Sequence, residues 1–174
     1  MSVPGRALVA AGLLCTMCAG CTALHRNVVE AFPPGGAASP WQLQDAVWSG
    51  SFDEAAAALG PDADAWRVHG PTRVWLAVYR HEEEPARTVT VRAFAFASAD
   101  AARRAYDAFR PLDAKAYEIG DAGCWTEVGL LFQWRRLVFD VFGHDASWGS
   151  TVQASFVAAL IAKRMPPGVP ENPQ

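Results

Sequence analysis

The chain has 174 residues, 51% of them hydrophobic and 19% charged, with 15 Lys and Arg against 18 Asp and Glu and a formal net charge of −3. An acidic balance argues against nucleic acid or an anionic lipid surface as an electrostatic partner. Of four cysteines only Cys124 lies beyond residue 21, so the body of the chain has no internal disulfide and depends on its core.

In chain order, residues 1–20 read as an export signal. Arg6 is the one charged side chain before Cys21, and the run from Ala7 to Gly20 carries Leu8, Val9, Leu13 and Leu14 and ends in the small pair Ala19-Gly20. A basic start, a short apolar stretch and small residues before a cut are the order of a secretory signal. With Cys21 these residues resemble the lipobox of exported bacterial lipoproteins, with Cys18 standing where Leu is usual. The resemblance implies cleavage before Cys21 and a lipid such as palmitate on its thiol. The domain is then membrane-anchored in the cell envelope and faces the periplasm. Thr22 follows Cys21 in place of the Asp that favours inner-membrane retention, which by the same resemblance prefers an outer membrane where one exists. Two other readings stay open. Residues 7–24 could remain as an uncleaved anchor, just long enough for a hydrocarbon core of about 30 Å, or a plain signal could be cut near Gly20.

Cys15, Cys18 and Cys21, followed by His25, imitate a metal-ligand run. Ligation needs thiolates on a folded scaffold, which an export signal lacks, and neither CxxC is followed by the His of a haem attachment site. No metal and no cofactor is assigned. Removal of residues 1–20 takes Arg6 away, leaving 14 basic against 18 acidic side chains.

Residues 21–40 include Pro33-Pro34-Gly35-Gly36 and Pro40 and read as a flexible tether with a root-mean-square reach of roughly 25 Å. Val28, Val29, Ala31 and Phe32 offer the alternative of docking on the domain. Residues 41–165 form one domain, and residues 166–174, with Pro166, Pro167, Pro170 and Pro173, a Pro-rich tail.

Within the domain Ser51-Phe52-Asp53-Glu54 is a capping box ahead of a short helix that Gly60-Pro61 stops, and Asp62 to His69 predicts a second short helical piece. Arg73–Tyr79 and Arg87–Phe96, rich in β-branched and aromatic residues, predict a hairpin. Ser98 opens a helix to about Phe109. After the turn residues Gly120 to Gly123, the segments Cys124–Val128, Leu130–Trp134 and Leu137–Phe142 predict three more strands, and Ser150 caps a final helix to about Met165. The expected fold is α+β: an antiparallel sheet of about five strands, two main helices packed on one face, and short helices before them.

This layout resembles an uncharacterised family of exported bacterial proteins, a domain-of-unknown-function group. The likeness rests on the strands at Val74–Tyr79 and Val89–Phe96, the helix Ala99–Phe109, the Gly120-Asp121 turn, and Leu131-Phe132 followed by Leu137, Phe139 and Val141. Gly60-Pro61-Asp62 departs from the continuous helix usual there. The resemblance implies a small α+β domain and no catalytic residue.

Candidate chemistry is sparse. His69, His81 and His144 are dispersed, and adjacent carboxylates such as Asp145 point away from them on a helix or strand. Cys124 is the one nucleophile candidate and needs a nearby His or positive site to be reactive. Trp75, Tyr79, Phe94 and Phe96 are the candidate binding residues: both faces of the hairpin are apolar, so the second is either covered or partly open as a docking surface. The favoured function is a lipid-anchored module that binds an envelope protein partner or a small apolar ligand. The alternative is an exported enzyme using Cys124 or a metal site centred on His144.

Overall fold

In a computed structural model residues 28–144 and 147–165 are described. The expected signal, the expected lipidation site Cys21 and the Pro-rich tail lie outside the described residues.

Two three-residue strands, β1 (Trp41–Leu43) and β2 (Trp48–Gly50), precede two short helices, α1 (Phe52–Leu59) and α2 (Ala63–Arg67), joined by a 3-10 turn over Gly60–Asp62. The hairpin follows as β3 (Arg73–His81) and β4 (Thr88–Ala95), then α3 (Ala99–Phe109), β5 (Ala122–Trp125), β6 (Gly129–Trp134), β7 (Leu137–Gly143) and α4 (Trp148–Arg164). The strands form one antiparallel sheet in the order β1-β3-β4-β7-β6-β5, with β2 also paired to β3. Among the described residues seven strands are present where about five were expected. The two extra ones are too short to show an alternating pattern, and they form because the long β3 offers an edge to pair with.

Local chemistry sets the boundaries. The Ser51 hydroxyl accepts from the Glu54 amide while the Glu54 carboxylate accepts from the Ser51 amide, a complete capping box that starts α1. Ser98 and Ser147 cap α3 and α4 by accepting from the Ala101 and Ser150 amides, and Lys163 and Arg164 complement the far end of α4. The β6–β7 turn places Arg135 at a positive φ of 53°. Asp121 holds it by accepting from the Arg135 amide, and Asp121 itself is aimed by Gly120, whose φ of 63° faces the Gln133 carbonyl too closely for any Cβ.

Strand alternation builds two apolar faces. On the first, Trp75, Ala93, Phe139 and Phe132 sit in register across four strands, the two phenylalanines stacked at 4.6 Å. Ala154, Val157, Ala158 and Ile161 of α4 cover this face, together with Val28, Ala31 and Phe32. On the second face Val74, Phe94 and Val138 align beneath α1, α2 and α3. Trp66 of α2 is the keystone there, stacked between Phe94 at 3.9 Å and Phe109 of α3 at 3.8 Å.

Two expectations are corrected by this layering. The main helices α3 and α4 lie on opposite faces, because central strands that are apolar on both sides need cover on both. The described part of the expected tether, residues 28–40, belongs to the domain: Val28 and Ala31 are fully buried, and the Tyr79 hydroxyl donates to the Pro33 carbonyl at 3.1 Å. The docked alternative is the observed one.

Candidate functional site

The second face is covered at one end only. One step along the strands from the Trp66 stack, the register brings Trp48, Leu76, Arg92 and Asp140 into a row across β2, β3, β4 and β7, and Val78, Thr90 and Phe142 into the next. Over these rows lies a groove of about 460 Å³ that is open to solvent. Its floor is Leu76, Val78, Thr90, Arg92 and Phe142, and its walls are Asp45 and Ala46 of the β1–β2 loop, Trp48, and Ala58 of α1. That volume lies in the range of small-molecule sites. Val78 remains 36% exposed and Trp48 40%, large apolar surfaces left to water at the same place.

The Trp48 wall depends on Gly50. The indole passes over Gly50 so closely that an added Cβ would sit 2.7 Å from its ring and 2.8 Å from the Glu54 carboxylate. The missing side chain therefore lets β2 carry the tryptophan edge-on to the capped start of α1.

One charged cluster adjoins the floor at Arg92. Arg92 donates to Asp62 at 2.8 Å and pairs with Asp140 at 3.7 Å, and its guanidinium lies 4.6 Å from the centre of the Phe142 ring. Asp62 comes from the 3-10 turn and Asp140 from β7, so the arginine ties the helical layer to the sheet. Burial pushes the Asp140 carboxyl up to about 6. Arg92 opposes that shift and the nearby Asp62 charge adds to it.

The residues expected from sequence to bind do not meet here. Trp75 and Tyr79 are fully buried on the first face, under α4 and the N-terminal segment. Phe94 and Phe96 are buried on the second, in the cluster that includes Trp66 and Tyr106. The four are sealed core residues on opposite sides of the sheet and form no common surface. Tyr79 is consequently held well above its ordinary pKa by burial.

Cys124 is buried against Tyr106, and burial raises its thiol pKa, which is the reverse of what a nucleophile requires. Each of the three described histidines has a local structural contact. His69 meets the edge of Phe109, His81 packs against Trp41 and accepts from the Glu84 amide, and Nδ1 of His144 lies 3.0 Å from the Ser150 hydroxyl. Among the described residues no three His, Cys, Asp or Glu side chains converge as a metal site would need; Asp145 lies outside them.

Sequence reasoning missed Trp48, Arg92, Asp140 and Phe142. Two signals were present: Thr88, Thr90 and Arg92 alternate with Val89, Val91 and Ala93, and Asp140 is a lone charge in an apolar strand. Two opposite charges inside otherwise apolar strands mark a cross-strand pair on a face that is not fully covered.

Among the described residues no helix is long and apolar enough to cross a membrane. Comparison with known proteins finds no matching family, no matching curated relative and no matching solved structure.

Proposed function

We propose that this protein is an exported module, anchored in the cell envelope by lipid on Cys21, whose domain binds a small, largely apolar ligand in the groove over Leu76, Val78 and Phe142. The observation that carries the reading is the coincidence of a 460 Å³ groove with the one end of the sheet's second face that the helices leave open. A packed domain ordinarily closes such a face. Keeping exposed Trp48 and Val78 beside a concave floor favours an occupant. A concave groove of about 460 Å³ is the size of a small-molecule site, which favours a small molecule over a protein surface.

The alternative of a thiol enzyme has little support from a buried, hydrogen-bonded Cys124. The lipid anchor rests on the grammar of residues 1–21.

The test is titration of the full-length protein with 1-octanol while the methyl resonances of Leu76 and Val78 are followed. A saturable 1:1 shift in wild type that disappears in Val78→Arg is the expected result. Val78 is partly exposed, so the arginine fits without disturbing the core. No saturable shift, or equal binding by Val78→Arg, contradicts the reading.

A further inference from the structure

The charges around the groove say what head group its ligand carries, and the inference rests on the binding role just proposed. Arg92 is the one basic side chain on the lining, and it is already answered twice, by Asp62 at 2.8 Å and Asp140 at 3.7 Å. The three groups together carry a net negative charge when both carboxylates are ionised. Asp45, exposed on the rim, adds another. Arg80, exposed on the same face of β3 two residues beyond Val78, lies outside the lining as Asp62 and Asp140 do. Arg92 and Arg80 thus stand against Asp45, Asp62 and Asp140, an excess of one negative charge.

An anionic ligand entering here meets a neutralised guanidinium and an excess of carboxylate. A cation meets Asp45 and, three residues away on the same wall, the 40% exposed indole of Trp48. An indole face is the best side-chain partner for an ammonium group. Below these lie Leu76, Val78 and Phe142, which accept hydrocarbon.

We infer that the ligand is an amphiphilic cation, with an ammonium head held between Asp45 and Trp48 and an apolar body lying along Leu76, Val78 and Phe142. The head contributes electrostatic attraction and a cation–π contact, and the body contributes burial.

Three probes of equal chain length separate this from its neighbours: octyltrimethylammonium, 1-octanol and octyl sulfate, each titrated into the full-length protein at low salt with the Leu76 and Val78 methyls as reporters. Octyltrimethylammonium is expected to bind about tenfold more tightly than octyl sulfate, with 1-octanol between them. Asp45→Asn, in an exposed loop, narrows the gap, as does added salt through screening. Trp48→Leu lowers the affinity for the ammonium probe more than that for 1-octanol, which loses only apolar wall. Octyl sulfate binding as tightly as the ammonium probe, or a preference indifferent to Asp45→Asn, overturns the cation while leaving the groove in place. Failure of all three probes to shift either methyl overturns the binding role itself, and this inference with it.

Discussion

Asp140 shows how a single side chain reports the architecture around it. Its carboxyl is raised to about 6 by burial and by the facing Asp62, against the pull of Arg92. The folded state therefore holds this proton more tightly than the unfolded chain does. Stability from this group is fully present below the unfolded carboxyl range, near pH 4, and is lost as pH rises through about 6. Chemical denaturation of wild type and Asp140→Asn at pH 7 and pH 5 reads the effect directly. Wild type is expected to gain about 1 kcal/mol relative to the variant on going from pH 7 to pH 5; an unchanged difference between the two pH values contradicts it. Arg92 and Asp140 could have been suspected from sequence, because each is a charge among apolar strand residues. Their meeting could not, since it depends on β4 pairing with β7 across the intervening α3, β5 and β6.

At the scale of elements, what was legible is what periodicity records. β3 and β4 alternate over eight or more residues, α3 presents Ala102, Ala105 and Tyr106 on one stripe, and capping residues mark the start of α1 and α3, whereas α4 is capped by Ser147, three residues before the Ser150 expected to cap it. β1 and β2 carry three residues each and no pattern of their own. The side of the sheet that each helix takes is also silent in sequence, because central strands apolar on both faces accept a helix on either. α2, with five residues, has no intrinsic stability. It persists through Trp66, wedged between Phe94 and Phe109 at under 4 Å on either side. Trp66→Ala is expected to cost about 3–5 kcal/mol by urea denaturation, and Trp66→Phe, which keeps a ring in the stack, distinctly less. Equal losses for the two would mean that the stack does not hold α2 to the sheet. The helical layer ends just where the groove begins, so α1, through Ala58, serves as one of its walls.

For the whole molecule, the signal grammar and the groove describe two separable properties, location and occupancy. The segment from residue 28 to 38 is built into the core through Val28, Ala31, Phe32 and Ala38. On the proposed anchor at Cys21, the spacer is residues 22–27, about 20 Å at full extension. Metabolic labelling with palmitate tests the anchor: wild type is expected to incorporate label and Cys21→Ser to lose it, whereas equal labelling rejects lipidation at that residue. The occupied state of the groove is tested most directly by purifying full-length wild type and Val78→Arg from the native envelope and comparing the small molecules each releases on denaturation, by mass spectrometry. A species with an apolar body and an amine or ammonium head, stoichiometric with wild type and missing from Val78→Arg, is the predicted result. Identical extracts from the two proteins would contradict the claim that this groove is a binding site.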